Sequence, residues 1–144
     1  MSSFIENNKY KDIINHSLED VITLMIDINQ DFLVVCDSVH IEFNPKLPDN
    51  ITENFNDNVV FNIVGYTLET AVINNQNSSF SFNAGFGQEN FASTITIPLL
   101  GIKQIFIGDD IIFVNFAEPK KIIADKSMNA LLNNPENMRF IKKK

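Results

Sequence analysis

A mainly β fold of the α+β class is predicted, a small half-open barrel with an N-terminal helix and a short helix before its last strand. Three observations predict it. Only one long stretch, residues 9–28, repeats its apolar residues at helical spacing; a series of short segments between residues 35 and 116 alternates apolar with polar side chains; and Pro98 opens a run suited to a short helix late in the chain.

The elements follow in order. Tyr10, Ile13, Ile14, Leu18, Val21, Ile22 and Met25 recur at helical spacing among Lys9, Lys11, Asp12, Glu19 and Asp20, and Leu24 and Ile28 widen the apolar side beyond one stripe. The surplus apolar surface suits contact with a second copy of the chain. Val35, Val39, Ile41 and Phe43 alternate with Cys36, Ser38, His40 and Glu42, which predicts a first strand stopped by Pro45. Residues 46–58 are polar and read as a loop, turning at Pro48-Asp49-Asn50. Residues 59–66 and 68–73 are predicted as two strands about Gly65, followed by a turn over residues 74–78.

An aromatic strand comes next. Phe80, Phe82, Ala84 and Phe86 alternate with Ser81, Asn83 and Gly85, so three rings share one face while the other face carries polar side chains or none. Such rings serve as barrel core, and they also wall a groove: an uncluttered backbone edge beside an aromatic pocket suits capture of an extended peptide. Phe91, Ser93, Ile95 and Ile97 line one face of the following strand. Pro98 fits the first turn of a short helix reaching about Phe106, because its missing N–H is unpaired there anyway. Gly108-Asp109-Asp110 then turns the chain into a last strand, residues 111–116.

Composition narrows the partners. Residues 1–118 carry four Lys and sixteen acids, net −12, whereas residues 119–144 carry seven Lys or Arg and two acids, net +5. The expected division is a compact domain over residues 1–118 and a flexible basic tail over residues 119–144. An acidic body repels phosphate backbones, so direct nucleic-acid binding is not expected of it. Cys36 is the single cysteine, no apolar run approaches the roughly 20 residues of a membrane span, and the first eight residues lack signal-peptide features. A cytoplasmic protein without membrane contact is expected.

Catalytic and metal constellations are missing from the pattern. Four residues of strand would hold Cys36 and His40 roughly 13 Å apart. His16, His40 and one Cys fall short of a zinc ligand set. Asp109-Asp110 and Glu19-Asp20 are neighbours that diverge on an element, and Gly85-Phe86-Gly87 lacks the Lys and Ser or Thr of a phosphate loop. The expectation is no enzyme, no metal and no cofactor.

Four segments carry a resemblance: Val59-Val60-Phe61-Asn62-Ile63, Phe82-Asn83-Ala84-Gly85-Phe86-Gly87, Thr96-Ile97-Pro98-Leu99-Leu100-Gly101-Ile102 and Phe113-Val114-Asn115-Phe116-Ala117-Glu118-Pro119. Their order and spacing resemble the stringent starvation protein B (SspB) family, and the opening helix with Lys9-Tyr10 is more similar to its alphaproteobacterial branch. The resemblance implies an SspB-like, Sm-like small barrel acting as an adaptor. Members of that family hold the ssrA degradation tag and deliver tagged proteins to the ClpXP protease. Carried onto this chain, it implies a tag groove from Phe61, Ile63, Asn83, Ala84, Gly85, Phe86 and Gly87. It also implies a homodimer through the helix residues Tyr10, Ile14, Leu18, Val21 and Met25. The tail end Met138, Arg139, Phe140, Ile141 and Lys142 is similar to the apolar-basic motif that docks on the N-terminal domain of ClpX. Gly85 departs from members that carry Arg there. The other class that a small barrel suggests is an Sm-like RNA-binding protein, which the acidic body disfavours.

Overall fold

The computed structural model describes residues 3–119, so the tail from residue 120, with the expected docking residues 138–142, lies outside the described residues. Helix α1, Asn8–Asp27, opens where the Asn7 side chain accepts the N–H groups of Lys9 and Tyr10 at 2.9 and 3.1 Å, which satisfies two of the donors a helix start leaves unpaired. It closes on Asn29 at φ +59°, where the Gln30 N–H reaches the Met25 carbonyl and the Asn29 N–H that of Ile26, the Schellman arrangement. Leu18, Ile22 and Met25 are buried, at the spacing that defines one helix face.

Eight strands follow: β1 Phe32–Asp37, β2 Glu42–Asn44, β3 Asn58–Ile63, β4 Val72–Asn74, β5 Ser79–Phe86, β6 Phe91–Pro98, β7 Ile102–Ile107 and β8 Asp110–Val114. They form two antiparallel four-stranded sheets, β3-β1-β7-β8 and β2-β6-β5-β4, which do not close into a barrel. The α+β class therefore holds, with the strands arranged as two antiparallel sheets. Their inner faces meet through aromatic contacts: Phe32 of one sheet lies 6.2 Å from Phe80 of the other, and Phe61 lies 5.2 Å, edge-on, from Phe82. Leu18 and Ile22 of α1 belong to the same buried cluster.

The chain changes sheet at short helical turns, and most departures from the predicted elements fall there. The single strand expected through Val35, Val39, Ile41 and Phe43 is two strands in different sheets. The Asp37 carboxylate accepts the Val39 N–H at 3.3 Å and starts a 3-10 turn, Ser38–His40, that carries the chain from β1 to β2. The buried face of β1 is Phe32, Val34 and Cys36, with Val39 78% exposed outside it. The strand expected over residues 68–73 is split: its first half belongs to helix α3, Gly65–Thr70, entered at Gly65 with φ +54°, a backbone conformation only glycine adopts freely, and only its end lies in β4. The polar loop over residues 46–58 holds one helical turn, α2 Asp49–Thr52, and a buried Leu47.

The late helix expected from Pro98 to Phe106 shrinks to a 3-10 turn, Leu99–Gly101, and β7 takes the rest. A bulge explains why β7 reads as helical. Val35 faces Gln104 and Cys36 faces Ile102, so one residue of β7 is skipped, and Ile102 and Ile105 both point into the core three residues apart.

Candidate functional site

The β5–β6 hairpin presents two unlike faces. Phe80 and Phe82 are buried and Ala84 and Phe86 half-buried, all packed toward the core, so the expected aromatic face exists. On the outer face the facing pairs are Ser81 with Thr96, Asn83 with Thr94 and Gly85 with Ala92. The first two are joined by side-chain hydrogen bonds, Ser81 Oγ to Thr96 Oγ1 at 3.0 Å and Thr94 Oγ1 donating to Asn83 Oδ1 at 2.8 Å. The third pair is small on both strands, and it leaves a low place in the sheet surface.

A cleft of about 550 Å³ lies there. Asn44 and Pro45 stand on its β2 side, Val64, Tyr66 and Thr67 on the other, and Asn83, Gly85 and Thr94 lie between. None of its lining residues is charged, in a chain whose first 118 residues sum to −12.

The edge of β5 beside the cleft is only partly covered. β4 pairs with it as far as Ser81, opposite Val72. Two residues on, the Asn83 N–H donates to the Thr70 hydroxyl of α3 at 2.9 Å. Strand alternation turns the N–H and C=O of Gly85 to that same side, and among the described residues no strand pairs with them. The hairpin connection folds back over this point: a Cβ built on Gly85 would collide with the Asn90 carboxamide.

The structure brings Asn83, Ala84 and Gly85 to the cleft. It places the other expected groove residues elsewhere. Phe61 and Ile63 are buried on the inner face of β3, Phe86 leans inward on Phe43 at 5.8 Å and Phe61 at 6.3 Å, and Gly87 sits in the hairpin turn at φ +72° near Ile51. The five residues expected at a dimer seam face the chain's own core: Leu18 and Met25 are buried, and Tyr10, Ile14 and Val21 pack against the same cluster. The exposed apolar residues of α1 are Ile13 and Leu24, and Ile28 just past its end is exposed as well. Sequence reasoning passed over Asn44, Pro45, Tyr66, Asn90 and Thr94. The signal was present for Thr94, which alternates outward from Ser93 and Ile95, and hidden for Tyr66, whose segment reads as strand.

A second cavity, about 620 Å³, has Leu99 and Leu100 in its lining with Lys11, Asn15, His40 and Pro119. Beside it His40 Nε2 lies 3.9 Å from Asp37 Oδ2 and 3.6 Å from Glu118 Oε1, while the Lys103 ammonium sits 2.8 Å from Glu118 Oε2. The hydrogen bond from Lys103 is the main reason the Glu118 carboxyl titrates below its ordinary value; burial, the next largest influence, pushes the other way, and the Lys103 charge and His40 add to the lowering. The donor atoms of Asp37, His40 and Glu118 lie within 4.8 Å of one another, a spacing that fits a cation, but Lys103 already supplies positive charge to Glu118. Cys36 is buried, and loss of solvation pushes its thiol pKa up, away from the reactive thiolate.

No protein-family model matches the chain, and no curated protein matches it closely enough to count as a relative. Among the described residues, no helix is long and apolar enough to cross a membrane.

Proposed function

We propose that the chain is a non-enzymatic adaptor that holds an extended peptide along the open edge of β5. In this reading the ligand is the ssrA degradation tag, and the tail residues 138–142 bring the complex to ClpX of the ClpXP protease. One observation carries the peptide part: beyond Ser81 the β4 ladder ends, and the Gly85 main chain is left unpaired beside an uncharged cleft. An added strand gains main-chain hydrogen bonds there, each contributing about 1 kcal/mol net, and the neighbouring cleft receives alternate side chains. The resemblance to SspB supplies the identity of the cargo and of the protease. Dimerisation belongs to the same proposal, and the exposed Ile13 and Leu24 of α1, with Ile28 at its C-cap, give it an apolar surface.

The test is a fluorescence-anisotropy titration of the full chain with a labelled ssrA-tag peptide, its scrambled version and a single-stranded RNA. Saturable binding of the tag peptide, weak binding of the scrambled one and affinity little changed by salt support the adaptor. Tight RNA binding that falls steeply with salt, or indifference to every peptide, overturns it.

A further inference from the structure

Gly85 lacks a side chain at the place where an added strand would be read. In a paired strand, directly opposed residues point their side chains to the same face. A ligand residue opposite Gly85 therefore projects over the outer face of the β5–β6 hairpin, where Gly85 itself offers nothing. The space a Gly85 side chain would take is held by the Asn90 carboxamide, and both residues line the cleft.

We infer that Asn90 is a specificity-determining residue that reads this ligand position and favours an amide or hydroxyl side chain over an aliphatic or carboxylate one; the inference rests on the peptide-binding reading above. A carboxamide offers both donors and an acceptor, which matches another amide or a hydroxyl. An aliphatic side chain strips water from it without replacing the hydrogen bond. A carboxylate can take only its donors and brings charge into a cleft of an acidic body with no cation in its lining. Asn90 is well placed to hold its carboxamide at this point. Its φ is +53°, a conformation Asn tolerates better than most residues, and its N–H donates to the Gly87 carbonyl at 3.1 Å, fixing the turn.

Two substitutions isolate the effect. Asn90→Gly removes the carboxamide and keeps a residue at ease with positive φ. Gly85→Ala introduces a Cβ whose nearest obstacle is the far end of the Asn90 side chain, so it displaces the carboxamide while leaving the backbone alone. The probes are fluorescein-labelled heptapeptides of Ala and Ser in which each central position in turn is Asn, Leu or Glu, titrated into the full chain and into both variants, with thermal unfolding as a check on folding. At one position the unaltered chain is expected to bind Asn about fivefold tighter than Leu, the weight of one net hydrogen bond. In both variants the ratio is expected to fall below about twofold while the Leu peptide keeps its affinity. A preference that survives in folded Asn90→Gly protein overturns the inference, as does binding by the unaltered chain without positional preference. Binding of none of the peptides by the unaltered chain overturns the peptide-binding reading itself, and this inference with it.

Discussion

The Thr70 hydroxyl accepts the Asn83 main-chain N–H at 2.9 Å and donates to the Thr67 carbonyl at 2.9 Å. Its single proton is committed within α3, which leaves its lone pairs for the strand. One side chain thus ends the β4 ladder and caps the edge of β5 next to the cleft. Thr70→Val removes both bonds at nearly constant shape, and the expected loss is about 1 kcal/mol in urea unfolding. The Asn83 N–H is then open to a ligand carbonyl, so peptide affinity is expected to rise about threefold, read by anisotropy. Peptide affinity lowered in folded Thr70→Val protein would mean that the ligand needs the hydroxyl itself.

Asn115 is buried and uses its whole side chain. Its Nδ2 donates to the Leu100 and Ile102 carbonyls at 3.1 and 2.9 Å, and its Oδ1 accepts the Ala117 N–H at 2.7 Å. These bonds join the end of β8 to the turn between β6 and β7. Asn115→Ala leaves buried groups unpaired and is expected to cost about 3 kcal/mol. Asn115→Asp is expected to cost more, since a carboxylate has no proton for the two carbonyls. The midpoints of urea unfolding check both, with Asn115→Ser as the milder comparison. Equal stability of the Asp variant and the unaltered chain at neutral pH would refute this account.

Elements that repeat one simple period are legible in the sequence. Helix α1, Asn8–Asp27, forms because the apolar positions from Tyr10 through Met25 keep helical spacing over about four turns, and β5 forms because Phe80, Phe82, Ala84 and Phe86 keep a period of two. The misread places are those where a local device breaks the period. The Asp37 carboxylate turns one alternating run into two strands, the positive φ of Gly65 starts a helix inside an extended pattern, and the β7 bulge gives a strand a spacing of three. The site was half legible for the same reason. Asn83, Ala84 and Gly85 follow from the strand pattern, but Tyr66 and Asn90 reach the cleft through α3 and a turn, which no periodicity announces.

Lys103 ties the chain's exit from β8 to the turn before β7. Its ammonium donates to the Leu100 and Ala117 carbonyls at 3.1 and 2.7 Å as well as to Glu118. The Leu100 carbonyl also has Asn115, so Lys103→Met strands chiefly the Ala117 carbonyl, an expected loss of about 2 kcal/mol. The Glu118 side chain is 59% exposed, and its share is expected to stay well under about 1 kcal/mol after solvent screening. Because Glu118 titrates lower in the folded chain than its ordinary 4.5, that share is fully present above the ordinary value and fades as pH falls through the depressed one. The stability gap between the unaltered chain and Glu118→Gln, followed by urea unfolding from pH 7 downward, should therefore close in acid. A gap independent of pH would show that the ion pair is not its source.

Removal of residues 138–144 separates the two halves of the proposed adaptor. The cleft and the β5 edge lie within residues 44–94, so the truncated chain is expected to bind tag peptide with unchanged affinity. In the proposed adaptor, delivery depends on a tether. A flexible chain of nineteen residues, the number from Pro119 to Asn137, has a span of about 24 Å and would hold cargo near the protease at high local concentration, and two tails on a dimer would multiply the effect by about 10²-fold. Without residues 138–144, degradation of a tagged reporter by ClpXP at low substrate concentration is expected to fall to the adaptor-free rate. At saturating substrate the difference should vanish, because a tether raises local concentration and leaves the unfolding step alone. Full stimulation by the truncated chain at low substrate would rule out tail-borne docking and leave the cleft as a peptide site with another purpose.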